Sequence, residues 1–305
     1  MLDIAIIGGG VAGLTAGLYA ARGGAETMVF EELFVGGQAA STSRIENYPG
    51  FPEGIEGVAI GPLIEEQAQK FGLKTSYDPV TAVDLKKRVL TVGGRAVEAR
   101  AIILCMGATP RKLGLPREDA LTGRGVSYCA TCDGAIFKGQ DVAVVGGGDT
   151  ALSDALYLAR FCSSVTVIHR RDELRAALSL QQAALAKDNI HFMYSSVCTA
   201  LLGEERLSGL SLKNLTTNEE SALSVSGVFM AVGIVPRTEL VAGQLTLCAE
   251  NSILTNDRME TSVPGVYAAG DVRNSPLRQV VTACADGAVA ATEAVAFLAL
   301  NKNQA

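Results

Sequence analysis

Tryptophan is absent from this chain, histidine occurs only twice, and Phe and Tyr are sparse. Glycine is abundant, with 33 in 305 residues. That mix suits an α/β nucleotide-binding protein rich in tight turns. Basic charge is short as well: 26 Lys and Arg stand against 32 Asp and Glu, a net charge of −6. A nucleic-acid partner is disfavoured, because a phosphate backbone needs a net basic patch. No run approaches the ~20 apolar residues of a membrane span. The opening MLDIAIIGGG enters a strand pattern at once. Its apolar run is too short for a signal-peptide core and lacks a basic flank. The expectation is a soluble cytoplasmic protein with no membrane partner, of about two domains at ~150 residues each.

Paired cysteines are nearly absent too. There are seven: Cys105, Cys129, Cys132, Cys162, Cys198, Cys248 and Cys284. An odd count without a signal peptide argues against a structural disulfide framework. Five are isolated, in surroundings such as AIILCMG and LARFCSS, and read as small buried hydrophobes. Cys129 and Cys132 form the one pair, in CATCDG. A zinc site would need two more ligands at short spacing. His169 and His191 are the only histidines, so no metal site is expected. A redox disulfide fits better, since a two-residue spacing allows a reducible bond and such motifs lower a thiol pKa. Asp133 follows at once and is placed to shuttle the proton that a leaving thiolate needs. Its plain structural role would be a turn or helix cap before Gly134.

What is present in quantity is the glycine turn between strand and helix. DIAIIGGGVAGLTAGLYAARGG reads as strand, Gly8-x-Gly10-x-x-Gly13, helix, and ETMVFEE as the next strand. Glu31 lies 23 residues after Gly8. This is the Rossmann fingerprint in its required context. The first Gly permits the turn, the second admits a pyrophosphate to the backbone, and the third packs helix on strand. The helix N-terminus supplies N–H donors to the phosphates, and Glu31 would accept hydrogen bonds from an adenosine ribose. The pattern then repeats as QDVAVVGGGDTALSDALYLAR, with Gly146-x-Gly148-x-x-Ala151. His169 again falls 23 residues on, but Arg170, Arg171 and Arg175 follow in place of an acid. Arginines suit a ribose 2′-phosphate, bound by charge-assisted hydrogen bonds. The plainer reading of HRRDELR is a solvated helix face of mixed charge. Two dinucleotides are expected, one with a free ribose and the other NADPH.

TSVPGVYAAGDV reads as a strand ending in Gly270-Asp271, with Arg278-Gln279 opening a long Ala-rich helix. An acid there is well placed for the ribityl hydroxyls of a flavin. The Pro/Gly-rich stretches 107–116 and 231–240 mark two crossings between domains. The expected fold is α/β, with two Rossmann-like dinucleotide-binding domains. Residues 1–113 and 241–305 form a discontinuous FAD domain. An NADPH domain, 114–240, is inserted and carries the CxxC pair.

The carrying motifs are GGGVAGL (8–14), GGQ (36–38), ENYPG (46–50), CATCDG (129–134), GGGDTA (146–151), HRRDELRA (169–176), TSVPGVYAAGDV (261–272) and RQVVTA (278–283). In order and spacing the sequence resembles, over essentially its whole length, the low-molecular-weight bacterial-type thioredoxin reductases of the flavoprotein pyridine nucleotide-disulfide oxidoreductase family. The resemblance implies FAD in the first site, around Gly8, Gly10, Val11, Ala12, Gly13, Glu31, Gly37, Gln38, Asn47, Gly270, Asp271, Arg278, Gln279 and Val280. It implies NADPH in the second, around Gly146, Gly148, Asp149, Thr150, His169, Arg170, Arg171 and Arg175. It implies a homodimer that reduces the disulfide of thioredoxin through Cys129, Cys132 and Asp133, with Cys132 against the flavin and toward thioredoxin. Met106, Arg237 and Thr150 depart from the family's usual Thr, Asn and Ser, and Met106 bears on packing near the flavin. The rivals are a flavin-dependent reductase of another protein disulfide, on a peroxiredoxin or glutaredoxin-like partner, a thiol oxidase, and a flavin-binding regulator without turnover. The intact CATC pair argues against the regulator.

Overall fold

The computed structural model describes residues 1–41 and 44–301. The chain forms two compact units: Met1–Thr109 together with the chain from Val235 onward, and Pro110–Ile234. The first opens with β1 (Leu2–Ile7), α1 (Val11–Arg22), β2 (Thr27–Phe30), α2 (Gly57–Gln69), β3 (Lys74–Ser76), β4 (Val80–Asp84), β5 (Val89–Val92) and β6 (Arg95–Leu104). After the crossing strand β7 (Ala108–Pro110) come α3 (Glu118–Leu121), β8 (Val126–Ser127), α4 (Ala130–Asp133), β9 (Asp141–Val145), α5 (Asp149–Leu158), β10 (Ser164–Ile168) and α6 (Leu178–Leu185). The second unit ends with β11 (Ile190–Met193), β12 (Ser196–Leu202), β13 (Gly209–Asn214), β14 (Glu220–Leu223) and β15 (Gly227–Met230). On its return the crossing strand β16 (Ile234–Pro236) pairs with β7, and β17 (Val266–Ala268) and α7 (Val280–Leu300) complete the first unit.

Both units share a parallel core of the three glycine-turn strands plus one later strand. They differ in the strand beyond it, the last of the first unit (β17) and the first of the second (β8). The first runs β3-β2-β1-β6-β17, with β5 and β4 added antiparallel off the early half of β6. The second runs β11-β10-β9-β15-β8. In each, the first strand of the glycine-turn unit lies inside the sheet where the winding reverses. Such sheets bind ligands off the carboxyl ends of their strands at that point.

Strand alternation sorts the cores. Ile4, Ile6, Val29 and Ile103 face the side covered by α1, α2 and α7, while Ala5, Ile7, Phe30 and Leu104 face a second cluster. In the second unit Val142, Val144, Val165 and Val167 pack under α5, and Ala143, Val145 and Ile168 pack against residues of β12 and β13. Sheets covered on both faces need near-continuous apolar strands, and LDIAII and DVAVV supply them.

One sequence expectation is corrected here. At 21 residues, α7 is long and apolar enough to cross a membrane by length and composition. Its Ala-rich run is broken by Asp286 and Glu293, which hid its overall apolarity. In the fold it packs on α1. A Cβ at Gly287 would stand 2.2 Å from the Ala12 carbonyl oxygen, so the two helices meet at backbone distance. Asp286 is buried in an ion pair with Arg273, at 3.0 Å.

Candidate functional site

Strand register explains why the spacing of 23 occurs twice. In the first unit Ile7 pairs with both Phe30 and Leu104, so Gly8, Glu31 and Cys105 emerge side by side. In the second, Val145 pairs with Ile168 and Met230, bringing Gly146, His169 and Ala231 together. Gly13 has no alternative: a Cβ there would lie 1.9 Å from the Gly8 oxygen. The second glycines differ in kind. Above Gly148 there is nothing within 4 Å, and above Gly10 only the Gly37 Cα at 3.9 Å. Gly10 and Gly148 are the N-caps of α1 and α5, and neither helix start has a side-chain cap. Each unit therefore presents open backbone donors at a helix N-terminus, the arrangement that binds phosphate.

The first unit gathers its remaining candidates at this edge. Val11 and Ala12 begin α1 and are buried. Gly37 and Gln38 lie in a 3-10 turn, Gly37–Ser41, and Gly36 bonds to the Gly9 carbonyl at 2.9 Å. Glu31 accepts from the Gly9 N–H at 2.7 Å and from Glu32 and Leu33 N–H. Gly270 and Asp271 form a turn whose Gly270 lies against Ala12. Burial raises the Asp271 carboxyl above its ordinary pKa, opposed by Arg278 and reinforced by Asp286. Asn47 donates to the Gln279 side chain at 2.8 Å, and Gln279 caps α7 with Thr282 just before Val280. Arg278 Nε is buried without a partner. An open glycine cradle beside an orphaned donor and a desolvated acid fits the phosphates, ribityl chain and polar ring edge of FAD.

In the second unit Asp149 and Thr150 start α5, and Asp149 accepts from the Ala177 N–H at 2.7 Å. The Arg175 N–H donates to the Gly147 carbonyl at 2.7 Å. These two bonds tie the arginine segment to the glycine loop. HRRDELR is a loop, with α6 starting only at Leu178, so the plainer helix-face reading does not hold. Arg170, Arg171 and Arg175 are exposed around buried His169. Burial and then their charges lower the His169 pKa, and its Nε2 has no partner. Free guanidinium groups beside an open glycine cradle fit the 2′-phosphate of NADPH.

Cys129 and Cys132 are joined by a disulfide, with Cα atoms 5.3 Å apart. Cys129 is the N-cap of α4, and its Sγ accepts the Cys132 N–H at 3.2 Å. Both cysteines are half-buried. Asp133 ends α4 and makes no cap bond from its side chain. Its carboxylate accepts from Ser127 Oγ at 2.6 Å. Burial raises its pKa, and the Ser127 bond opposes that rise. Ser127 was passed over in the sequence, where a lone serine before a cysteine carries no signal. Cys105, Cys162 and Cys284 are buried, and Cys198 and Cys248 half-buried, all unpaired. Of the three departures, Met106 is half-buried against the cluster that includes Ile7 and Leu104. Thr150 and Arg237 are exposed.

Two dinucleotide cradles in one chain with a cysteine pair define a class: nucleotide-dependent disulfide oxidoreductases. Comparison with known proteins agrees. The pyridine nucleotide-disulphide oxidoreductase family matches residues 2–287, and the chain belongs to that family. It is 44% identical to the thioredoxin reductase of Peptoclostridium acidaminophilum over 98% of both chains. It is also 44% identical to a bifunctional thioredoxin reductase/thioredoxin of Mycobacterium leprae, over 97% of this chain and 66% of that one. The solved thioredoxin reductase from Streptococcus pyogenes matches with a TM-score of 0.91 at 40% identity, covering 98% of this chain and 99% of its own.

Proposed function

We propose that this protein reduces the disulfide of a thioredoxin with electrons from NADPH, by way of FAD and the Cys129–Cys132 pair. One observation carries the reading: a formed, half-buried disulfide belongs to a chain with two open dinucleotide cradles. Relatives named thioredoxin reductase support it, as does the one named for a fused thioredoxin. Bound FAD supplies two-electron transfer between a nicotinamide hydride and a disulfide, and the protein supplies placement.

Gly8, Gly10, Val11, Ala12 and Gly13 would hold the FAD pyrophosphate and Glu31 its ribose. Gly37, Gln38, Asn47, Gly270, Arg278, Gln279 and Val280 would line the rest, with Asp271 on the ribityl hydroxyls. Gly146, Gly148, Asp149 and Thr150 would take the NADPH pyrophosphate. His169, Arg170, Arg171 and Arg175 would surround the 2′-phosphate. Once Cys129 and Cys132 are a dithiol, one thiolate attacks the partner disulfide and forms a mixed disulfide. The second then displaces the partner sulfur and closes the Cys129–Cys132 bond. Two electrons leave the pair, and the partner departs as a dithiol with two protons. Asp133, held up in pKa by burial, carries a proton for the departing thiolate.

The molecule is further read as a cytoplasmic homodimer. Five unpaired cysteines suit a reducing compartment. Tyr19 on α1 and Val58 and Leu63 on α2 are exposed on neighbouring helices, an apolar surface that a second copy would cover. The test of the activity is Cys132→Ser in a coupled NADPH and thioredoxin assay. Disulfide turnover should vanish, while FAD binding and flavin reduction by NADPH remain. Substantial turnover in that variant overturns the assignment.

A further inference from the structure

We infer that Ser127 is a positioning residue for thiol–disulfide exchange: its hydroxyl locks the Asp133 carboxylate and the Cys129 backbone into one network, leaving the acid's other oxygen for the departing thiolate. The inference rests on the reading of Asp133 as the proton donor.

Ser127 is buried at the end of β8, where its backbone pairs with Phe229 of β15. Its position is therefore set by the sheet and not by the redox turn. A hydroxyl has one proton to give and two lone pairs to receive. Oγ gives that proton to Asp133 Oδ2 at 2.6 Å and receives the Cys129 N–H at 3.1 Å. The carbonyl of Cys129 then accepts the Asp133 N–H at 3.1 Å, closing the loop through the backbone. The turn bearing both cysteines is thus pinned at each end to one atom of a sheet strand. Among the described residues Ser127 is the only side chain bonded to Asp133. The Ser127 bond engages Oδ2 and restrains the carboxyl, leaving Oδ1 for the exchange.

The surroundings leave this bond in control. The 3-10 turn Gly134–Phe137, β8 and β15 carry no titratable side chain. α5, packed on α4, carries Asp149, Asp154 and Tyr157. The pKa of Asp133 responds to burial first and to Ser127 second, with no charged neighbour contributing. In the exchange, the enzyme's sulfur–sulfur bond re-forms as its bond to the partner sulfur breaks. The expelled thiolate takes the Asp133 proton, and Asp133 regains one from the enzyme thiol as that thiol ionises to close the Cys129–Cys132 bond.

The test uses the flavin-loaded enzyme with NADPH and thioredoxin, following kcat and KM across pH. Ser127→Ala should lower kcat about tenfold, a part of what a general acid supplies, with KM for thioredoxin little changed. A bond that favoured the carboxylate is gone, so the alkaline limb of the profile should move to higher pH. Ser127→Thr keeps the hydroxyl and should restore both. Flavin reduction by NADPH should stay at the wild-type rate, which certifies the fold. Should alanine disturb the turn, Ser127→Cys, close in shape and a weak donor, should show the same displacement in smaller measure. If Asp133→Asn loses the limb while Ser127→Ala and Ser127→Cys keep the wild-type limb and kcat, the role of Ser127 is refuted and that of Asp133 stands. If Asp133→Asn retains the limb, Asp133 is not the acid and the inference falls with it. Loss of all thioredoxin turnover in wild type would instead strike the proposed function.

Discussion

At the residue scale, coenzyme choice is the most exposed consequence of the sequence. Arg170 and Arg171 are surface residues in a loop, so replacing both by Ala removes charge without opening a core. NADPH should weaken far more than NADH. Each hydrogen bond to a charged group is worth roughly 1.5–3 kcal/mol, so losing one contact costs about 10- to 150-fold in KM or Kd, read from steady-state kinetics with each coenzyme. Wild type that already prefers NADH would refute the reading. What was legible is the place of this segment: the parallel register sets His169, 23 residues beyond Gly146, at the strand end beside the glycine turn, and the arginines follow it. Ser127 was not legible. Its meaning comes from a turn that returns Asp133 to a strand end, and no composition or period records that return.

Elements show the same division. The two glycine-turn units were legible because turn, helix and strand are local and follow fixed spacing. A long Ala-rich helix was legible at α7, but its packing was not, because Asp286 looks like a break in an apolar helix until Arg273 is found beside it. Asp286 Oδ2 takes both Arg273 Nη1 at 3.0 Å and the Gly270 N–H at 3.2 Å. Arg273 Nε in turn donates to Thr255 Oγ1 at 2.7 Å. One carboxylate therefore ties α7 to the turn that carries Asp271. Asp286→Ala would strand a buried guanidinium, a change that costs about 3–5 kcal/mol when one partner of a buried pair is removed. The expected outcome is a lower unfolding midpoint and FAD that leaks on gel filtration. An unchanged midpoint with full flavin retention would mean the pair is replaceable by water.

On the scale of the whole molecule, the division of labour between units sets a requirement for motion. The disulfide and the glycine cradle we assign to NADPH both belong to the second unit, with fourteen residues from Cys132 to Gly146. The cradle we assign to FAD belongs to the first. Both the disulfide and the nicotinamide need the same flavin ring, and the dithiol must also meet a protein partner. A disulfide packed on the ring would cover the face that the nicotinamide needs, so one rigid arrangement cannot serve every step. The crossings are suited to turning: each is short, and Gly107 and Gly233 have φ of +69° and +105° with no atom within 4 Å of where a Cβ would stand. Hinges are a few such residues that absorb a change in φ and ψ. We expect two states related by rotation of residues about 114–240 as a body. Engineered cross-links between the units can hold each state in turn. One tether should block flavin reduction by NADPH, and the other should block reduction of the Cys129–Cys132 disulfide while leaving flavin reduction intact. Full NADPH-to-thioredoxin turnover in a single tethered state would show that no rotation is needed.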